Sequence, residues 1–259
     1  MYPGLRGRLA VVTGSGRGIG RAVAVGLARE GAMVVVNYRK HADEAAQTEK
    51  AITEAGGRCS VVQADVSTDE GAAALMDRAS EHGMVEVLVN CAGLGIASPA
   101  VSVTSDMWTK QMDANLRSAF LCSSRFLAQL ASRWGRVVNL SSVAGLHGAP
   151  LLSVYSATKA GLIGLTKSLA AEAPAGVTVN AVAPGVVKTK MGDSLLALLG
   201  TDERAWAKEH TVTGRLVAAE EVAELVAFLC SDHGASITGQ VFVIDGGQAA
   251  LQARRFFMQ

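Results

Sequence analysis

Short apolar runs, most of them rich in Val, alternate along the chain with longer stretches whose apolar residues recur every three or four positions. The runs fall at residues 9–12, 33–36, 59–62, 85–89, 137–140, 177–182 and 241–244. Most lack the in-out alternation of a half-exposed strand, so they predict strands covered on both faces. The stretches between them predict amphipathic helices. The first helix is expected over 18–30 with Gly31 as its stop, and the second over 43–55 ahead of Gly56 and Gly57. Strands mostly separated by helices predict an α/β fold, a doubly wound seven-stranded parallel sheet with helices on both faces.

One stretch breaks the rhythm. Residues 188–214 carry two helical segments, around 195–199 and 203–206, between two expected strands. An insertion beyond a strand's carboxyl end is where a lid over a site sits, and an ordinary surface helical hairpin is the other reading. No repeat, low-complexity tract or linker divides the 259 residues, which are expected to form one domain with a tail over 248–259.

Charge and composition narrow the partners. The 24 basic and 23 acidic residues give a formal net charge of +1, so no global field favours nucleic acid or an anionic membrane. A small anionic ligand therefore needs local cations. Cys59, Cys91, Cys122 and Cys230 are widely separated and form no Cys-x-x-Cys pair, which reads as small core residues in a reducing compartment, without metal or disulfide. No segment has the length of a membrane span, and the first residues lack the apolar stretch of a signal peptide, so a cytoplasmic protein is expected. Asn139-Leu-Ser141 fits a glycosylation pattern but lies in an expected buried strand.

The first candidate chemistry lies where the first strand meets the first helix. Thr13-Gly14-Ser15-Gly16-Arg17-Gly18-Ile19-Gly20 spaces Gly14, Gly18 and Gly20 as Gly-x-x-x-Gly-x-Gly. Glycines there permit a tight turn, let backbone amides approach phosphate oxygens, and aim a helix N-terminus at their charge. A dinucleotide is the expected ligand. The second strand runs into Asn37-Tyr38-Arg39-Lys40, with no carboxylate for the ribose hydroxyls of NAD. Arg39, assisted by Arg17 and Lys40, instead suits the 2′-phosphate of NADP, the cofactor expected ahead of NAD.

The second candidate is Tyr155, followed four residues later by Lys159 and preceded by Ser142 at the end of an apolar run. If the tyrosine opens a helix, both side chains share a face, and a nearby cation lowers a phenol pKa of about 10 toward the working range. A phenol, an ammonium and a hydroxyl then surround one carbonyl. The same letters contain a rival, since Ser156-Ala-Thr-Lys159 matches the Ser-x-x-Lys of acyl-transfer enzymes. His147, between Ser142 and Tyr155, reads either as a pocket residue or as a loop histidine.

Together these residues resemble the short-chain dehydrogenase/reductase family. Thr13-Gly14-x-x-x-Gly18-x-Gly20, Asp65-Val66, Asn90-x-Ala92-Gly93, Asn115, Ser142, Tyr155-x-x-x-Lys159 and Pro184-Gly185-x-Val187-x-Thr189 fall in the family's order over essentially the whole chain. The resemblance implies a Rossmann fold and an NADP-dependent enzyme that interconverts a carbonyl and a secondary alcohol. It implies Tyr155 as general acid or base, Ser142 on the substrate oxygen, and Lys159 lowering the tyrosine pKa while holding the nicotinamide ribose. Asn115 is implied to hold a water on the proton path to solvent. Asp65 and Val66 are implied at the adenine, Asn90, Ala92 and Gly93 on the adenosine side, and Val187 and Thr189 at the carboxamide. Ser15, Ile19, Asn37, Tyr38, Pro184 and Gly185 complete the expected cofactor set.

Two positions depart from the family. Cys91 interrupts its usual Asn-Asn-Ala-Gly, and Glu86 stands where aspartate is common. The segments around Ser142 and Lys159 are similar to β-ketoacyl-acyl-carrier-protein reductases, so a 3-oxoacyl-reductase-like enzyme acting on a small carbonyl or alcohol is expected. Arg133 matches one position used to dock the acyl carrier protein, but Ala175 occupies the other, which argues against carrier docking. The opening Met-Tyr and the run through Asn37-Tyr38-Arg39 are similar to bacterial glucose dehydrogenases, which makes a sugar dehydrogenase the alternative. A non-catalytic NADP-binding regulator is the alternative of another class. The family's habit implies a homotetramer with the helices around Asn115 and Tyr155 at its interfaces, and Phe256 and Phe257 of the tail are expected to pack on a neighbouring subunit.

Overall fold

Seven parallel strands form one sheet in the computed structural model, which describes residues 2–130 and 134–250. The strands are β1 (Leu9–Val12), β2 (Met33–Tyr38), β3 (Arg58–Gln63), β4 (Val85–Asn90), β5 (Gly135–Leu140), β6 (Val177–Pro184) and β7 (Val241–Ile244). Their order across the sheet is β3-β2-β1-β4-β5-β6-β7, and every neighbouring pair runs parallel. The winding reverses between β1 and β4. A crevice opens outside the carboxyl ends of strands at such a reversal, where ligands of open α/β sheets bind.

Successive strand residues face opposite ways and feed two cores. On one face Val12, Val36 and Val89 pack with Val23 and Leu27 of α1 (Gly18–Arg29), Ile52 of α2 (Ala42–Glu54) and Val226 of α10 (Ala219–Cys230). On the other, Val11, Val35 and Leu88 meet Leu75 of α3 (Asp69–Ser80), Phe126 of α5 (Ser118–Gln129) and Leu169 of α7 (Ser153–Glu172). Each such side chain contributes about 1.5–3 kcal/mol by leaving water. Covering both faces explains why most strand runs are almost purely apolar.

The predicted first and second helices match α1 and α2 to within a residue or so at each end, with Gly31 and Gly56 taking positive φ of 91° and 76° just beyond them. β2 and β6 run two residues farther than their apolar runs, to Tyr38 and Pro184, because the backbone still pairs with β3 and β7. The segment expected as an insertion forms α8 (Lys190–Leu198) and α9 (Glu203–His210), whose Leu196, Trp206 and Ala207 bury a small core with Leu216. It leads into α10 and not directly into a strand, a correction to the expectation. Arg133, Phe256 and Phe257 lie outside the described residues. Among the described residues no helix is long and apolar enough to cross a membrane.

Candidate active site

The turn from β1 into α1 is built on close approach. Gly14 has φ 62° and Gly18 φ 56°, a region that favours glycine. A Cβ on Gly14 would lie 2.7 Å from the Ala92 Cα, and one on Gly20 2.5 Å from the Gly14 carbonyl oxygen. Side chains then lock the turn. The Asn37 Oδ1 accepts from the Gly14 N–H at 3.1 Å, and the Ser15 hydroxyl donates to the Val12 carbonyl at 2.7 Å. The Thr13 hydroxyl accepts from the Cys91 and Ala92 N–H groups, each at 3.0 Å. Ser15 and Asn37 therefore spend their side chains on the turn, and Ile19 packs against the core. No side chain caps α1 at Arg17, so its first-turn amides remain for an anion. A glycine cradle of this form fits a dinucleotide pyrophosphate.

Of the expected cations, Arg39 and Arg17 each lie beside a carboxylate, and Lys40 is exposed. Arg39 reaches within 3.5 Å of Asp65, and Arg17 within 3.4 Å of Glu44. Desolvation works against the Asp65 charge, but hydrogen bonds from Ser67 and the nearby Arg39 outweigh it and hold its pKa below the usual range. Tyr38 packs partly against the core, and Val66 is buried. The Asn90 Nδ2 donates inward to Ser123 at 2.9 Å and to Asn139 at 2.8 Å, while its Oδ1 is buried without a hydrogen-bond partner. Across the crevice, Gly185 bonds to β7, Val187 bridges to Val217, and Thr189 caps α8 by accepting from the Gly192 N–H. The Thr189 γ-methyl lies 3.5 Å from where a Gly18 Cβ would stand, so this loop faces the glycine turn.

At the carboxyl end of β5 and the start of α7, Ser142, Tyr155 and Lys159 converge as their spacing predicts. The Ser142 hydroxyl, which accepts from the Ala144 N–H at 3.1 Å, lies close enough to the Tyr155 phenol to favour its charged form. The Lys159 Nζ stands 5.5 Å from the Tyr155 ring centroid and donates to the Leu140 carbonyl at 2.7 Å. The Ser141 hydroxyl donates to the Lys159 carbonyl at 2.8 Å and ties α7 to the strand end. Burial pushes the Lys159 ammonium down to about 8. Desolvation pushes the Tyr155 phenol up to about 12, only partly offset by Ser142, although an edge of the residue still meets solvent. The Lys159 charge is not among the groups that shift the tyrosine here. The ammonium is directed at Leu140, and desolvation dominates.

Asn115 joins the group through an irregular helix. Between α4 (Ser105–Met112) and α5, residues Asp113–Arg117 form a π-helical turn, a feature common at functional sites. Its Oδ1 accepts from the Leu94 N–H at 2.7 Å, while its Nδ2 donates to the Leu94 carbonyl at 2.9 Å and to the Thr158 hydroxyl at 3.0 Å. One amide thereby fixes the loop after β4 and the start of α7. A Cβ on Gly93 would lie 2.9 Å from the Asn115 Oδ1 and 3.6 Å from the Lys159 Nζ.

The remaining singled-out residues fall away from this centre of chemistry. The Ser156 hydroxyl is buried without a hydrogen-bond partner, which does not suit a nucleophile. His147 ends α6 (Ala144–His147) with its Nδ1 on the Gly148 carbonyl, and is exposed. Burial raises the Cys91 thiol to about 11, so it stays neutral beside Lys159. Glu86 pairs with Arg8, a structural use of that departure. Thr13 belongs to the glycine motif, but its role as acceptor, and Thr158, Glu44 and Lys190, are not among the sequence expectations. The two threonines lie in recognised motifs, whereas Glu44 and Lys190 meet across 146 residues and leave no local signal.

Comparison with known proteins agrees with this geometry. Residues 14–249 match the family model described as enoyl-(acyl-carrier-protein) reductase. The chain is 38% identical to 3beta-hydroxysteroid dehydrogenase 1 of Eggerthella lenta, over 99% of each chain. It is 40% identical to the 3-oxoacyl-(acyl-carrier-protein) reductase of Staphylococcus aureus, over 92% of this chain and 96% of the other. A crystal structure of a short-chain dehydrogenase from Burkholderia cenocepacia J2315 in complex with NADP superposes with a TM-score of 0.88 at 33% identity, covering 95% of this chain and 99% of that one. The parallel sheet, the glycine turn and these relatives identify the chain as a member of the short-chain dehydrogenase/reductase family, an oxidoreductase of carbonyl and alcohol groups.

Proposed function

We propose that the protein interconverts a carbonyl and a secondary alcohol with NADP, Tyr155 acting as the general acid in reduction and the general base in oxidation. The observation that carries this reading is the convergence of Ser142, Tyr155, Lys159 and Asn115 at one edge of the sheet, beside a glycine cradle. When bound, the nicotinamide supplies or accepts the hydride. Ser142 orients the substrate oxygen toward the phenol, and Tyr155 delivers its proton to that oxygen as the alcohol forms. A phenol with a pKa near 12 enters the site fully protonated and ready to donate. Lys159 supplies the charge that stabilises phenolate once the proton has left, and Asn115 holds the loop and helix between which the proton returns from solvent.

NADP is favoured over NAD by Arg17 and Arg39 beside the glycine turn, by the lack of a carboxylate at the end of β2, and by the structural relative that contains NADP. For the substrate we propose a 3-oxoacyl-type carbonyl compound, as in the 3-oxoacyl reductase relative. A second reading, a cyclic secondary alcohol, is favoured by the hydroxysteroid dehydrogenase relative and by the exposed Leu146, Leu151 and Met191 on segments at the carboxyl edge of the sheet. The homotetramer belongs to the same proposal, supported by exposed Trp108 on α4 and Phe120 on α5; a monomeric mass by light scattering would remove it.

Absorbance at the reduced-nicotinamide band, followed with 3-oxoacyl thioesters, cyclic ketones and, in the oxidative direction, aldoses, tests the reading. Tyr155→Phe is expected to lower kcat about 1,000-fold or more while NADPH still binds. Retained turnover in that variant would show that another group handles the proton. Absence of any NADPH binding by the parent protein would remove the cofactor assignment.

A further inference from the structure

The crevice is spanned by an ion cluster outside the catalytic group. Glu44, in the first turn of α2, is only 9% exposed, yet it carries a carboxylate. Lys190, the first residue of α8, donates to it at 2.8 Å, and Arg17 of the glycine turn approaches it at 3.4 Å. Two cations thus converge on one carboxylate from different elements. The hydrogen bond from Lys190, followed by the charge of Arg17, holds the Glu44 pKa below the usual range against its desolvation.

The turn of α2 that carries Glu44 is firmly anchored to the glycine turn. The Thr48 hydroxyl, one helical turn beyond Glu44, lies 3.1 Å from the Ser15 carbonyl and 3.0 Å from that of Gly16. Arg21 bridges the Gly16 carbonyl at 2.7 Å and the Glu44 carbonyl at 3.0 Å. Lys190, by contrast, is exposed and sits at the start of a helix that shows Met191, Leu198 and Leu199 to solvent. Since Thr189 also faces Gly18, the Glu44–Lys190 pair joins the wall behind the glycine turn to the wall formed by the segment after β6, across the stretch where a pyrophosphate would lie.

We propose that Glu44 is a positioning residue for the cofactor: its ion pair with Lys190 draws the start of α8 against the glycine turn and slows dinucleotide release. The proposal rests on reading the glycine turn as the dinucleotide site. Lys190 is exposed, so the effect is modest, about threefold on a rate constant. Because the pair spans the part common to both dinucleotides, NADPH and NADH are affected alike. Arg17 is the separate element that distinguishes them.

The test is stopped-flow fluorescence of NADPH and NADH dissociation from the full-length protein. Lys190→Met is expected to raise both dissociation rates about threefold, Glu44→Gln to raise that of NADH by the same factor, and Lys190→Arg to keep both within about twofold of the parent. Combining Lys190→Met with Glu44→Gln should add little to either alone, and at about 1 M salt the parent should approach the variants. Fully additive single effects would mean that Lys190 acts on the ligand without Glu44, and would overturn the proposal. So would unchanged rates in Lys190→Met, an exposed position where folding is not at risk, or an increase confined to NADPH, which would assign the effect to the 2′-phosphate. If the parent protein binds neither dinucleotide, the cofactor reading fails and this proposal with it, an outcome distinct from binding with unaltered rates.

Discussion

Lys159 and Tyr155 sit close enough to interact, and because both lose water the lysine titrates nearer to neutral pH and the tyrosine farther from it. Lysine near 10.5 falls to about 8, and tyrosine rises from 10.0 to about 12. The signs give opposite stability effects. The folded protein holds the Lys159 proton less tightly than the unfolded chain does, so stability is lowest below pH 8 and recovers as pH rises from about 8 to about 10.5. The difference corresponds to a penalty on the order of 3 kcal/mol below that window. The raised tyrosine pKa acts above it, where stability is lost as pH climbs from about 10 to about 12. Lys159→Met removes the buried charge, so its stability advantage over the parent in urea unfolding should shrink between pH 7.5 and 9.5. A difference that stays constant across that interval would show that the Lys159 ammonium is not the strained group.

At the scale of elements, chemistry depends on segments meeting with almost no room between them. The loop after β4 reaches the π-helical turn and α7 only because Gly93 has no side chain. Gly93→Ala puts a methyl 2.9 Å from the Asn115 Oδ1 and in ordinary contact, 3.6 Å, with the Lys159 Nζ. Overpacking there should cost about 1–3 kcal/mol in stability. Displacing Asn115 by a fraction of an ångström to an ångström should lower kcat about 100-fold, measured against a melting curve that still shows a folded protein. Full activity in Gly93→Ala would mean that this approach is not part of the catalytic geometry. The sequence made strands, α1, α2 and the glycine turn readable, because buried parallel strands and helix stops leave contiguous patterns. It also made Tyr155, Lys159 and Ser142 readable, through helical spacing and a strand end. It did not show that Ser15 and Asn37 would turn inward to hold the turn, since hydrogen-bond direction has no periodicity. Nor did it show Glu44 meeting Lys190, because only the sheet order brings those residues together.

For the whole molecule, the reversal between β1 and β4 gathers the glycine turn, the loop after β4 and the segment after β6 around one crevice. A ligand that bridges these parts binds only the folded chain, so it raises stability by mass action. At about 100 times its dissociation constant the gain is about 2.7 kcal/mol, which for a chain of this size raises Tm by about 5–10 °C. The comparison that matters is NADP against NAD at equal concentration. Their difference is the 2′-phosphate, and the local cations for it are Arg17 and Arg39, each now facing a carboxylate at 3.4–3.5 Å. Those carboxylates weaken the cations as phosphate binders, but ion pairs this long are easily exchanged, most of all the exposed Arg39–Asp65 pair, and a phosphate offers more charge than a carboxylate. NADP should therefore raise Tm by several degrees more than NAD, and Arg39→Ala should erase most of that margin while leaving the response to NAD unchanged. An equal shift with both cofactors in the parent protein would show that Glu44 and Asp65 neutralise the two arginines, and would remove the preference for NADP.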